Sequence, residues 1–374
     1  MAGIYIHIPF CQSRCIYCDF YSTVQLGRRK EYIDALLREM RDRQNELAPD
    51  LRAYHTLYIG GGTPSTLPPA QLRRLLSGAL EYFPLTPGAE VTLEANPDDV
   101  TPEWISMLRD TPVNRISMGT QTFNDALLTF LRRRHGSRQA VRAVHLLQDA
   151  GYSNLSIDLI YGIPGQDRKV WQEDVAQALS LKIPHLSAYS LMYEEGTQLT
   201  QLRDKGLCQE MDEDTSLWCY DHLCQQLEQA GYQHYEISNF ALPGYRSRHN
   251  GSYWQGIPYL GIGAGAHSYD GNHIRRWNAG DLRHYITQGP DHESERLTDD
   301  DLYNEFVMTR LRTLEGIDLQ QTEQLFGPDR LKYLLLQAKP HLLRGNLQQT
   351  GQSIRLTRGG IFVSNQVMAD LFCD

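Results

Sequence analysis

The sequence predicts an α/β chain: an incomplete (β/α)6, TIM-like barrel followed by a smaller helical, winged-helix-like C-terminal domain. Three observations predict it. Short β-branched or aromatic runs alternate with stretches of helical spacing, the pattern of βαβ units and a parallel sheet. That rhythm stops after Ser190. From Thr298 the pattern turns helical and closes with a hairpin. Six strands are too few for a complete eightfold barrel.

The strands are expected at Gly3–Ile8, His55–Ile59, Glu90–Glu94, Asn114–Met118, Asn154–Ile160 and His185–Ser190. Helices are expected between them at Arg29–Glu46, Pro69–Tyr82, Pro102–Asp110, Ser137–Ala150 and Arg168–Leu181. Proline or serine in the first turn, as at Pro102 and Ser137, is a usual helix start. A helix over Glu210–Ala230 and a strand over Tyr232–Phe240 then precede an irregular, glycine-rich and aromatic segment, Pro243–Trp277. The last part predicts helices over Asp300–Leu314, Asp318–Leu325 and Asp329–Leu343, a hairpin turning at Gly351, and a final helix over Phe362–Phe372. This divides the chain into a barrel core at 1–200, a connecting region at 201–296 and a C-terminal domain at 297–374.

Composition narrows the class. The chain has 374 residues, 41% of them hydrophobic, enough for a large core. No apolar run approaches the roughly 18 residues of a membrane span, so no integral membrane segment is expected. A net charge of −9 argues against a broad grip on nucleic acid. Of seven cysteines, three crowd into Cys11–Cys18, too tightly for a disulfide framework. The opening MAGIYIHIPF carries no secretory signal pattern. A reducing, cytoplasmic setting is the expectation.

The crowded cysteines form CxxxCxxC just after the first strand: Cys11-Gln-Ser-Arg-Cys15-Ile-Tyr-Cys18. Thiolates are soft ligands that favour zinc, copper(I) or iron–sulfur clusters. A structural zinc wants four protein ligands, and the nearby candidates for a fourth are His7 and Asp19. A four-iron cluster held by three cysteines leaves one iron open to a substrate. Gly60-Gly61-Gly62-Thr63-Pro64 ends the second strand. Three glycines permit close backbone approach to a ligand, with exposed N–H groups for an anion, or simply a tight turn. Glu94, Gln121 and Asp158 fall at or near the ends of later strands, where barrel sites are built. A carboxylate inside an apolar strand, as at Asp158, is costly unless partnered.

CxxxCxxC after the first strand of a βα barrel resembles the signature of the radical S-adenosylmethionine (SAM) proteins. The surrounding YIHIPFCxxxCxYCDF is similar to proteins like oxygen-independent coproporphyrinogen III oxidase, over nearly the whole chain. The resemblance implies a 4Fe-4S cluster on Cys11, Cys15 and Cys18. In that family the open iron chelates SAM, and an electron from the cluster breaks the sulfonium C–S bond to give a 5′-deoxyadenosyl radical. It also implies SAM contacts. Gly61, Gly62 and Thr63 would take the methionyl amino group; Glu94, Gln121 and Asp158 match further SAM-contacting positions. Tyr5 would approach SAM, Tyr17 would pack on adenine, and Arg133, flanked by Arg132 and Arg134, falls where the family has an arginine.

His249-Asn-Gly-Ser-Tyr253-Trp254 is HNxxYW, a pattern that marks the haem chaperone branch of this family. An imidazole can ligate haem iron, and large aromatic faces suit the macrocycle. His249 is the expected haem ligand, with His7 and His267 as other candidates and Arg246 and Arg248 near the propionates; a hydrogen-bonded structural histidine is the alternative. Two departures separate the chain from the decarboxylating oxidase. Only ten residues precede Cys11, and Phe20 stands where the oxidase has a fourth cysteine. The resemblance therefore implies a haem chaperone that delivers to an acceptor haemoprotein, possessing a 4Fe-4S cluster, SAM and haem. A radical SAM enzyme acting on a tetrapyrrole is the alternative.

Overall fold

The structure, a computed structural model, describes residues 1–373. Six parallel strands form its centre: β1 (Ala2–Ile8), β2 (Tyr54–Gly61), β3 (Leu85–Ala95), β4 (Arg115–Gln121), β5 (Leu155–Tyr161) and β6 (His185–Ser190). They pair in sequence order, each beside the next. The crossovers carry α1 (Arg29–Arg43), α2 (Pro69–Tyr82), α3 (Pro102–Leu108), α4 (Asp125–Phe130), α5 (Ser137–Asp149) and α6 (Arg168–Ser180). Local chemistry sets their starts. The Thr101 hydroxyl accepts from Trp104 N ahead of Pro102, and the Asp167 carboxylate accepts from Val170 N at 2.8 Å. Strand residues such as Ile4, Ile6, Ile8, Ile157 and Leu159 are buried against this helical layer and line one continuous core.

The sheet does not stop at β6. After α7 (Gln198–Asp204) and α8 (Glu213–Gln229), two short strands, β7 (Gln233–Glu236) and β8 (Asn239–Ala241), extend the far edge: β8 pairs antiparallel with β6, and β7 antiparallel with β8. One strand was expected over Tyr232–Phe240. The chain reverses instead at Ile237–Ser238, with a register shift between His234 and Glu236, and neither turn residue is a glycine or proline that would announce it. The segment expected to be irregular also contributes. It folds as α9 (Arg248–Trp254), β9 (Tyr259–Ile262), β10 (His267–Tyr269) and β11 (Ile274–Asn278), followed by α10 (Leu282–Gln288) and β12 (His292–Arg296). β9 runs parallel to β1, and the sheet reaches twelve strands. These strands have three to five residues, too short for alternation to be read.

The C-terminal part has its own core around Tyr303, Val307, Leu334, Ile354 and Leu371. It comprises α11 (Asp299–Leu311), α12 (Leu319–Arg344), a small sheet of β13 (Ile317–Asp318), β14 (Leu347–Thr350) and β15 (Ser353–Leu356), then α13 (Arg358–Ile361) and α14 (Ser364–Leu371). α12 is broken at Gly327, where φ is 82° just before Pro328, giving the two expected helical pieces. Ion pairs join this part to the rest of the molecule: Arg246 with Glu315 (2.7 Å), Arg275 with Glu305 (2.7 Å) and Arg358 with Asp221 (2.9 Å). All seven cysteines are free thiols. No helix among the described residues is long and apolar enough to cross a membrane.

Candidate functional site

Because β1 to β6 are parallel, their C-terminal ends open onto one face. A cavity of about 500 Å³ lies there. Cys11, Cys15 and Cys18 line it from the loop after β1, beside Tyr5, Tyr17, Gly61, Gly62, Thr63, Glu94, Gln121, Arg133 and Asp158. Thus all of the expected cluster and SAM residues meet at one place, and His249 does not.

The thiols have specific neighbours. Thr63 Oγ1 is 3.6 Å from Cys11 Sγ, and Arg133 Nη1 is 3.4 Å from Cys15 Sγ. The arginine run is thereby resolved. Arg133 also donates to Gly119 O and Asn96 Oδ1, whereas Arg134 pairs with Asp98 (2.9 Å) and Asp99 (3.1 Å) and Arg132 is exposed. Burial raises the Cys18 thiol to about 11. No three His, Cys, Asp or Glu side chains among the described residues are arranged to hold a single metal ion. His7 is not free to serve as a fourth ligand: its Nε2 donates to Tyr21 O (2.9 Å) and its Nδ1 meets the Tyr5 hydroxyl (2.9 Å). Three soft donors around a cavity, without a fourth protein ligand, fit a cluster with one open iron better than a closed zinc site.

The glycine run is explained by packing. A Cβ on Gly61, where φ is +113°, would lie 2.6 Å from the His7 ring. One on Gly62 would lie 2.8 Å from Pro9 C and 3.0 Å from Cys11 Sγ. The run therefore lets β2 press against the cysteine loop. Its N–H groups are not available for an anion: Gly61 N donates to Glu94 Oε2 (3.0 Å), Gly62 N to Ile8 O (2.8 Å) and Thr63 N to Phe10 O (2.8 Å). The expectation of exposed amides is corrected on that point.

The carboxylates are held in an uneasy state. Glu94 accepts from the Tyr58 hydroxyl at 2.7 Å and from Gly61 N, yet burial lifts it to about 7. Asp158 is lifted to about 6 by burial, against the pull of a Ser187 hydrogen bond and the Arg115 and Arg133 cations. Gln121 adopts φ 69°, a left-handed conformation rare outside glycine. Arg115 is the residue the sequence reading missed. It is 1% exposed, lines the cavity, and its Nε has no hydrogen-bond partner. A cation in the apolar strand NRISMG is as costly as Asp158, and the same argument could have singled it out.

His249 sits behind this cavity. It is 2% exposed; Nδ1 is 2.8 Å from Thr56 Oγ1 and Nε2 is 2.9 Å from the Tyr253 hydroxyl. Its ring stacks on Tyr58 at 5.0 Å. Burial, then the Arg115 cation, lowers it to about 3, so it is a neutral bridge with both nitrogens engaged. The histidine expected as an iron ligand thus has Thr56 and Tyr253 on its two nitrogens. The flanking arginines also diverge: Arg246 turns to Glu315, while Arg248 donates to Gly88 O (2.5 Å).

Known proteins place this architecture. The Radical SAM superfamily profile matches residues 5–178, and the HemN C-terminal domain profile matches residues 297–363. The solved Escherichia coli coproporphyrinogen III oxidase (HemN), described as a radical SAM enzyme, has a TM-score of 0.84 with this chain. That match covers 99% of this chain and 90% of that one at 24% identity, a likeness of fold. Fold and profiles define the class, a radical SAM protein. The heme chaperone HemW of Lactococcus lactis is 38% identical over 374 residues, covering 99% of this chain and 97% of the relative. HemW of Bacillus subtilis is 34% identical over 378 residues, covering 98% of each. HemW of Escherichia coli is 38% identical over 323 residues, covering 84% and 83%. The chain belongs to the HemW branch of the coproporphyrinogen III oxidase-like radical SAM proteins.

Proposed function

We propose that this chain is a cytoplasmic haem chaperone, binding haem and passing it to an acceptor haemoprotein such as a respiratory enzyme. The observation that carries the reading is the near-complete coverage of relatives named heme chaperone HemW. On this reading Cys11, Cys15 and Cys18 hold a 4Fe-4S cluster whose open iron takes SAM. When bound, the cluster supplies an electron to the SAM sulfonium. The chain's own residues do the positioning. Arg133 holds the Cys15 thiolate and the Asn96 amide in place, Thr63 orients Cys11, and Glu94 fixes the glycine run against the cysteine loop. With its N–H groups spent internally, the run offers carbonyl oxygens, which suit the methionyl ammonium. Glu94, Gln121 and Asp158 complete the SAM cradle, with Tyr5 and Tyr17 on its apolar side.

The second reading is a radical SAM enzyme acting on a tetrapyrrole. It is favoured by the convergence of cysteines, Glu94, Asp158 and Arg133 at one cavity. Phe20, in place of a fourth cysteine, weighs against coproporphyrinogen decarboxylation. The test is to reconstitute the protein anaerobically, load it with haem, and follow transfer to an apo-haemoprotein with and without SAM, assaying coproporphyrinogen turnover in parallel. Saturable haem binding with transfer and no turnover is expected. Turnover without stable haem binding would establish the second reading instead.

A further inference from the structure

A second cavity, of about 1,010 Å³, lies between α9, strands β10 and β11, and helices α11 and α12 of the C-terminal part. It is at the upper end of the ~300–1,000 Å³ range of small-molecule sites. Part of its wall is aromatic, with Trp254, Tyr259, Tyr269, Phe306 and Phe326 facing it, and the rest is polar and charged. Tyr253 and Trp254 of HNxxYW line this space, not the cysteine cavity, so the motif's flat faces are turned here. His249 holds Tyr253 from behind through its Nε2.

His273 is the histidine with a free nitrogen. Its Nδ1 donates to Leu297 O at 3.0 Å, which leaves Nε2 with no hydrogen-bond partner among the described residues. An imidazole oriented by a carbonyl on one nitrogen is the usual arrangement of a metal-ligating histidine. The charged side chains of the cavity are mostly consumed. Arg275 pairs with Glu305, and Arg330 pairs with Asp300. Arg310 makes no ion pair among the described residues; its guanidinium lies over the Phe306 ring at 5.5 Å. One unpaired cation beside an apolar wall suits a carboxylate at the edge of a flat apolar ligand.

We propose that an iron porphyrin binds in this inter-domain cavity, with His273 Nε2 as its axial ligand, Arg310 beside a propionate, and the HNxxYW aromatics as one wall. This rests on the haem-binding reading above and places the cargo apart from the cluster and SAM. It also gives HNxxYW a physical role without an iron–His249 bond: the motif shapes the wall.

The experiment is a titration of the full chain with ferric haem, followed by the Soret band and low-temperature EPR. The parent should bind one haem with the spectrum of an imidazole ligand. His273→Ala should weaken binding about tenfold or more and lose that spectrum, with added imidazole restoring it. Met308→Trp, which narrows the cavity and retains His273, should abolish stoichiometric binding and carries the test if His273→Ala does not fold. A parent that binds no haem would overturn the chaperone reading itself. A parent that binds haem, with both variants folded by circular dichroism and unchanged in affinity and spectrum, would overturn only this placement.

Discussion

The two cavities are made of opposite materials. The first is framed by the ends of six strands in one sheet, so its lining is fixed by register: Gly119 beside Asp158, and Asp158 beside Ser187. It concentrates thiols, buried carboxylates and the unpartnered Arg115. The second lies between two separately cored parts, joined by ion pairs, by backbone hydrogen bonds at Tyr235–Ile237 and by the Tyr220–Phe362 contact, and part of its wall is aromatic. A register-fixed site can hold reacting groups in exact relation but cannot open without breaking the sheet. A cleft between two cores, bridged by polar contacts, can widen by small rigid shifts. The first suits a cofactor that stays; the second suits a bulky ligand that must leave. His249 stands between them, stacked on Tyr58 of one wall and hydrogen-bonded to Tyr253 of the other.

The sharpest way to break this contrast is to destroy one cavity's chemistry and read the other. Cys15→Ala should abolish cluster assembly and the broad absorption near 400 nm, and with it SAM binding, while haem affinity changes less than about twofold. Iron content, EPR and a haem titration on the same sample decide it. A full four-iron cluster in Cys15→Ala would remove that cysteine from the ligand set, and loss of haem binding alongside the cluster would show the cavities to be one functional site.

Gly61→Ala should have the largest effect on stability. It forces a side chain onto φ +113° and into the buried, doubly hydrogen-bonded His7 ring at 2.6 Å. A loss on the order of 3 kcal/mol is expected in denaturant melts, with poor cluster assembly following from the displaced cysteine loop. A variant with parental stability would mean the loop can yield, and that the first cavity is less rigid than its register implies.

Asp158→Asn probes the same cavity through pH. Burial holds the Asp158 carboxyl at about 6, above its value in the unfolded chain, so the folded state keeps its proton longer. Stability from this group is present below about pH 4 and is lost as pH rises toward 6. Asparagine is neutral throughout. The variant should therefore be more stable than the parent at pH 8, on the order of 1–3 kcal/mol, with no advantage at pH 4. The SAM affinity of the variant should fall. Equal stability differences at both pH values would sink the ionisation argument.

Much of this was legible before the structure. β1 to β6 are short β-branched or aromatic runs alternating with helical spacing, and CxxxCxxC has few alternatives, so barrel and cysteine cavity follow from pattern. Arg133 against its two neighbours was not legible, because which of three adjacent arginines reaches a thiol depends on a backbone turn in which Arg132 takes φ 59°. The extension of the sheet through β9 to β12 was hidden by strand length. The second cavity was hidden for a deeper reason: Trp254, His273 and Phe326 are distant in sequence and meet only through packing of the C-terminal part against the sheet edge. HNxxYW singled out His249, but sequence cannot show that both nitrogens of that histidine are already engaged by Thr56 and Tyr253.

His249→Gln is the smallest effect and the finest discriminator. Glutamine can satisfy one of the two partners, Thr56 or Tyr253, but not both from the same position, and it loses the stack on Tyr58. If His249 only supports the wall, haem affinity should fall about threefold, worth on the order of 0.6 kcal/mol, with the Soret band unmoved. The variant should also melt earlier, because two buried hydrogen bonds are disturbed. A direct iron ligand behaves differently: its loss changes the spectrum whatever happens to stability. Titrations of His249→Gln and His273→Ala under identical conditions therefore separate the two histidines. A folded His249→Gln protein that loses the parental Soret band, beside a His273→Ala protein that keeps it, would reverse the assignment and move haem to the buried junction between the cavities.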